Sequence, residues 1–157
     1  GGAPRAAEAE PDFEELMARR EAARREALGD PNKALYDAAR AGLFEDAFEA
    51  VECGADLSRA FGPRKNTPLH LACRFGYVEI AGLLLQRGAP IEARNKHGET
   101  PLHGAVKDGV EVTTQLLANA RADLNAQDED GRTPLALARA AGRQEFVDFL
   151  VASGAAG

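Results

Sequence analysis

The sequence predicts an all-α repeat solenoid, built from helix-turn-helix units and preceded by a separate N-terminal helix. Three observations point there. The decapeptides "TPLHLACRFG", "TPLHGAVKDG" and "TPLALARAAG" open at Thr67, Thr100 and Thr133, at equal spacing. A fixed period of about 33 residues marks stacked repeats rather than one globular core. Each decapeptide is followed by a second apolar stripe bounded by a turn. Aromatic content is only 6%, with no Trp, while hydrophobic content is 45%, so the core is expected to be Leu, Ile, Val and Ala.

Residues 1–10 are expected to be a disordered tail. From Pro11 to Asp30 the pattern turns helical. Asp12 and Glu15 suit a capped start, acidic residues fill the first turn, and Arg24 and Arg25 lie near the end. Gly29 and Pro31 stop the helix. Phe13, Leu16, Met17, Arg20 and Ala23 share a thin stripe. Two roles stay open for residues 11–30: capping the first repeat, or linking to and gripping something else.

Residues 31–157 form the repeat domain, with units at about 33–66, 67–99, 100–132 and 133–155. In the clearest unit Thr67 supplies an N-cap, Pro68 suits the first helical turn, and Gly76 ends the helix. Leu69, Ala72 and Cys73 mark its buried side. Ile80, Leu83, Leu84 and Leu85 stripe the second helix, and Gly88 closes it. The same scheme places Leu102, Ala105, Val112, Leu116 and Leu117 inside the next unit. Leu135, Ala138, Phe146, Val147 and Leu150 follow in the last. A degenerate first unit aligns "ALYDAARAG" (34–42) with "PLHLACRFG", and its second helix carries Phe44, Phe48 and Val51.

Thr67-Pro68-Leu69-His70, Thr100-Pro101-Leu102-His103, Thr133-Pro134-Leu135, the closing Gly88-Ala89 and Gly154-Ala155, and the turns "NKHGET" and "DEDGRT" together resemble the ankyrin repeat. The resemblance runs from about residue 33 to 155. It implies an L-shaped stack of helix pairs with β-hairpin finger loops on one side. It also implies that His70 and His103 bridge neighbouring repeats through hydrogen bonds. Departures matter. Arg121 stands where a closing Gly is usual, which requires strained positive φ. Ala136 replaces the motif His. Lys65 replaces the turn glycine, and "FGPRKN" is one residue longer, so the first finger is expected to be irregular.

The net charge of −6 and pI of about 5.1 argue against nucleic-acid binding as a bulk property. Two cysteines, Cys53 and Cys73, do not form a disulfide framework and suggest a reducing, intracellular setting, cytoplasmic or nuclear. No apolar run is long enough to span a bilayer, and no signal peptide pattern appears. An opening Gly1-Gly2 without methionine is what a processed chain or a piece of a longer one would show. His70 and Cys73 are spaced i, i+3, but a zinc site needs three or four ligands, so a structural role is expected for both. No phosphate-cradling glycine motif and no nucleophile elbow are present. The chain is therefore read as non-enzymatic, without cofactor or metal.

The resemblance implies a protein partner, bound along the concave surface and the fingers. The residues placed there, which vary from copy to copy, are Arg64, Lys65 and Asn66, then Lys96, His97 and Glu99, then Glu129, Asp130 and Arg132. The first helices add Arg40, Arg74, Phe75, Lys107 and Asp108. Arg40, Arg64, Lys65, Arg74, Lys96 and Lys107 make the first three repeats basic, whereas Asp128, Glu129 and Asp130 make the last finger acidic. Phe75 would be an exposed aromatic anchor. The expectation is a monomeric scaffold or adaptor that recognises an acidic protein segment. A regulatory or targeting module of a larger enzyme or signalling protein, or a pathogen effector, is the alternative. A solvated mixed-charge face is the bland one.

Overall fold

The computed structural model describes residues 9–156; the expected tail falls mostly on residues 1–8, which lie outside the described residues. Among the described residues there are nine helices. The N-terminal helix α1 is Phe13–Leu28. Four helix pairs follow: α2 (Pro31–Ala41) with α3 (Phe44–Glu52), α4 (Pro68–Phe75) with α5 (Val78–Gln86), α6 (Pro101–Lys107) with α7 (Glu111–Asn119), and α8 (Pro134–Ala140) with α9 (Gln144–Ala152). First helices stack in the order α2, α4, α6, α8, and second helices α3, α5, α7 stack behind them.

Local chemistry sets these boundaries. Thr67, Thr100 and Thr133 each accept a hydrogen bond from the amide three residues on, and each precedes a proline at the first helical position. Gly42 and Gly76 then take left-handed φ of 76° and 78° and end α2 and α4. One leucine per unit, at 35, 69, 102 and 135, is almost wholly buried, as are Leu84, Leu117 and Leu150 on the second helices. Small residues at Ala38, Ala39, Ala72, Cys73, Ala105 and Ala138 let successive first helices approach closely.

Two stripe assignments differ from the sequence reading. Val112 is half exposed, and Thr113 takes the buried position instead. Thr113 is β-branched and stands one repeat period after Ile80, in the equivalent place of its own helix. Its Oγ1 donates to the Cys73 carbonyl at 2.6 Å, so its polar atom is satisfied inside the core. In the first unit Ala47 and Ala50 are buried while Phe48 lies partly outside, beneath the Arg87 guanidinium, 5.6 Å from the ring centroid.

The fingers are tight loops rather than extended hairpins. Among the described residues the only β-type pairing is the bridge between Phe61 and Asn66. The first finger is not irregular, as its sequence suggests, but closes on the same plan with one extra residue. Phe61 N–H donates to the Asn66 carbonyl at 3.0 Å, matching Asn95 to Glu99 at 3.0 Å and Asp128 to Arg132 at 2.9 Å. Lys65 adopts φ 55°, close to the 71° and 74° of Gly98 and Gly131. Neighbouring fingers are joined by single backbone bonds, Lys96 N–H to Arg64 O at 2.8 Å and Glu129 N–H to His97 O at 3.1 Å.

Arg121 has φ 64° at the corner where other units have glycine. It is exposed and makes no ion pair among the described residues. Left-handed φ costs a non-glycine residue about 1–2 kcal/mol, partly offset by the greater unfolded entropy of glycine. Arg121→Gly is expected to stabilise the stack by about 0.5–1 kcal/mol. Equilibrium urea unfolding checks it, and a lower midpoint for the variant would contradict the account.

Helix α1 starts where Asp12 accepts from the Glu15 amide at 2.7 Å and ends at Gly29, φ 74°. None of its residues is buried; Phe13, Leu16 and Met17 stay exposed, and only Leu28 packs against the core. Arg24 and Glu49 make a 3.8 Å ion pair with the stack. At the other end of the array Phe149 is half-buried and Val151 is exposed.

Candidate functional site

The first helices and fingers create one face, and its geometry follows from how the buried polar groups are spent. In His70, Nδ1 accepts from the Thr67 amide at 3.2 Å, and Nε2 lies 2.8 Å from the Glu99 carbonyl. Only the Nε2–H tautomer serves both partners. His103 repeats this with the Thr100 amide at 3.1 Å and the Arg132 carbonyl at 2.9 Å. Each ring thus ties a helix start to the following finger, and both of its nitrogens are engaged. Cys73 lies in the core, where burial pushes its thiol up to about 12. A pair whose imidazole is fully bonded and whose thiol stays protonated is a packing pair.

Asn66 and Glu99, placed on the binding face by sequence, are buried. Asn66 Oδ1 accepts from Asn95 Nδ2 at 3.1 Å. Glu99 donates its amide to Asn95 Oδ1 at 3.0 Å, and its carboxylate meets Lys107 Nζ at 3.3 Å. Both residues serve the fingers' internal bonding. Arg74 Nε donates to Asp108 Oδ2 at 2.7 Å, so a second cation of the face is matched. In the last finger Arg132 pairs with Asp128 at 3.0 Å and with Asp130 at 3.2 Å. His97 Nδ1 and Glu129 Oε1 are 3.5 Å apart between adjacent finger tips. Arg40, Arg64, Lys65 and Lys96 are exposed and have no acidic partner among the described residues.

Two connected depressions gather these groups. A groove of about 260 Å³ is lined by Tyr36, Arg40, Pro63, Arg64, Asn66, Leu71, Arg74 and Phe75. A small cleft of about 30 Å³ continues from Arg64 and Arg74 toward Asn95, Lys107 and Asp108. Phe75 is 46% exposed, with the Arg74 guanidinium 5.5 Å from its ring centroid. The structure therefore brings Arg40, Arg64, Arg74 and Phe75 together. Lys96, His97, Glu129, Asp130 and Arg132 sit on the fingers beyond. Tyr36 and Pro63 were missed. Tyr36 had a signal: it occupies the motif position of His70 and His103 in the degenerate first unit.

Two buried groups make stability pH-dependent. Burial pulls the His70 imidazole below its ordinary 6.5, against the opposing pull of the Glu99 carbonyl. Burial would raise the Asp128 carboxyl, but the amides of Arg132 and Asp130 and the Arg132 guanidinium outweigh it and hold it below 3.8. Both groups bind protons more readily unfolded than folded, so acid favours unfolding. Stability is expected to fall as pH drops below 6.5 through His70, and again below 3.8 through Asp128. Thermal melts across pH check this; a midpoint that rises between neutrality and pH about 5 would contradict it.

Stacked helix pairs whose buried polar groups are committed to each other define a repeat solenoid, with a basic-aromatic face left open. A family model of ankyrin repeats (three copies) matches residues 35–128 and 90–156. The chain belongs to the ankyrin-repeat family, a non-catalytic interaction fold whose members bind other proteins. Its relatives include the E3 ubiquitin-protein ligase XBAT33 of Arabidopsis thaliana, 42% identical over 67 residues, 41% of this chain and 13% of that protein. Ankyrin repeat and SOCS box protein 18 of Homo sapiens is 47% identical over 49 residues, 31% of this chain and 10% of that protein. The matched stretches thus span about an eighth or less of these relatives. Among the described residues no helix is long and apolar enough to cross a membrane.

Proposed function

We propose that this chain is a non-catalytic scaffold or adaptor, monomeric and intracellular, that holds an acidic segment of a partner protein against its concave surface and finger loops. One observation carries the reading: unmatched cations gather on the first-helix and finger side of repeats one to three. Arg40, Arg64, Lys65 and Lys96 lack acidic partners there among the described residues. The second helices instead carry exposed Glu45, Asp46, Glu79, Glu111, Glu145 and Asp148. Such polarity steers an acidic partner to one side and repels it from the other. Phe75 adds an aromatic anchor at the groove.

The test is a photo-reactive side chain placed at Phe75 or, on the opposite side, at Glu79. Cross-linking to the same acidic partner segment from Phe75 alone is the expected outcome. Equal cross-linking from Glu79 would contradict it.

A second reading has its own support. The relatives are much longer proteins, one of them named as a ubiquitin ligase. On this reading the stack is the targeting module of a larger chain, and α1, with its exposed stripe, is the link. The partner-binding face is the same in both readings.

A further inference from the structure

We propose that the acidic group received by the groove is a phosphorylated side chain, held by Arg40 and Arg64 with the Tyr36 hydroxyl, beside an apolar residue resting on Phe75. This rests on the reading of an acidic partner segment above.

The cations lining this groove are guanidiniums rather than ammoniums. A guanidinium offers a planar fork of donors that matches phosphate in a bidentate manner, whereas an ammonium acts as a point charge. Their charges are not equally available. Arg74 is fixed by Asp108 at 2.7 Å and forms a wall of the groove. Arg40 and Arg64 are exposed and without acidic partners among the described residues, leaving two free positive charges. A phosphoserine carries about −1.5 to −2 at neutral pH and matches that pair, whereas a carboxylate would leave one guanidinium uncompensated.

Tyr36 adds a donor. In the later copies the same position is a histidine whose ring nitrogens are both bonded. The Tyr36 hydroxyl makes no hydrogen bond among the described residues. It lies over Gly62, where an added Cβ would come within 2.8 Å of its oxygen. Glycine at that point leaves the hydroxyl room at the groove edge. Phe75 then offers an apolar surface to the neighbouring residue.

The test uses the full chain and fluorescence anisotropy with three degenerate peptide libraries of equal length. Each has one fixed central residue, phosphoserine, glutamate or serine, next to a fixed leucine. The phosphoserine library is expected to bind at least about tenfold more tightly than the glutamate library, one charge-assisted hydrogen bond's worth. Arg40→Lys/Arg64→Lys, which keeps the charge and loses the fork, is expected to erase most of that ratio. Tyr36→Phe is expected to lower it. Circular dichroism confirms folding, which the two exposed arginines do not support through any ion pair among the described residues. Equal binding of the phosphoserine and glutamate libraries would overturn the phosphate assignment and leave the acidic-face reading standing. Phosphoserine binding unchanged in Arg40→Gln/Arg64→Gln would move the site elsewhere and overturn it too. No binding of any library, phosphorylated or acidic, would overturn both readings.

Discussion

Replacing His103 by alanine is expected to lower the free energy of unfolding by about 2–4 kcal/mol, since a buried amide left unsatisfied costs about 1–3 kcal/mol and the cavity left by the ring adds to it. The imidazole is fully buried and is the sole side-chain link from the Thr100 amide to the Arg132 carbonyl, 29 residues apart in sequence from ring to carbonyl. Its loss strands the Thr100 amide, leaves the Arg132 carbonyl with only its bond from the Asp128 amide, and opens a cavity between α6 and the next finger. His70→Ala should behave alike through the Thr67 amide and the Glu99 carbonyl. Ala136→His is the control. That position is exposed, and among the described residues no finger follows the last helix pair, so its change should stay within about 0.5 kcal/mol. Urea midpoints compare all three. A His103→Ala protein as stable as the parent would show that the ring does not bind the repeats together.

Gly98→Ala is expected to loosen the second finger from the third and to destabilise the fold by about 1–2 kcal/mol from backbone strain alone. Two effects combine. The residue has φ 71°, a left-handed conformation in which an L side chain crowds its own backbone. An added Cβ would also come within 2.8 Å of the Glu129 amide nitrogen, which donates the single backbone bond joining those fingers. The neighbour is backbone, so it cannot rotate away. Hydrogen exchange at the Glu129 amide reads the second effect directly. Unchanged protection there, with unchanged stability, would contradict the description of the fingers as one coupled edge.

The legible part of this protein was its periodic part. Thr-Pro starts, closing glycines and one buried leucine per unit recur with the repeat because each unit meets the same neighbours. Arg121 was readable as a strained corner because the period fixed its backbone, whereas Lys65 pointed to an irregular finger and instead keeps the left-handed turn at φ 55°. Val112 misled because an apolar residue was preferred to a threonine, and only the structure shows the Cys73 carbonyl that satisfies Thr113. On the candidate face, exposure and charge type could be read for Arg40, Arg64 and Phe75. Burial of Asn66 and Glu99 could not, because it depends on bonds to Asn95 and His70 in neighbouring segments. The pairing of Arg74 with Asp108 joins two successive repeats and is equally invisible in a local pattern. It leaves Arg40 and Arg64 as the groove's unmatched guanidiniums among the described residues. The stripe of α1 had two readings in sequence, and the structure leaves its apolar residues open to solvent.

The most direct test of the central claim is affinity capture with mass spectrometry on three forms of the chain. These are the parent, Arg40→Glu/Arg64→Glu on the groove, and Glu79→Arg/Glu111→Arg on the opposite side. All four positions are exposed and form no ion pair among the described residues, so folding should be retained. A partner captured by the parent and the second-helix variant but lost from the groove variant is the predicted result. A partner retained in full by Arg40→Glu/Arg64→Glu would contradict recognition of an acidic segment by this face.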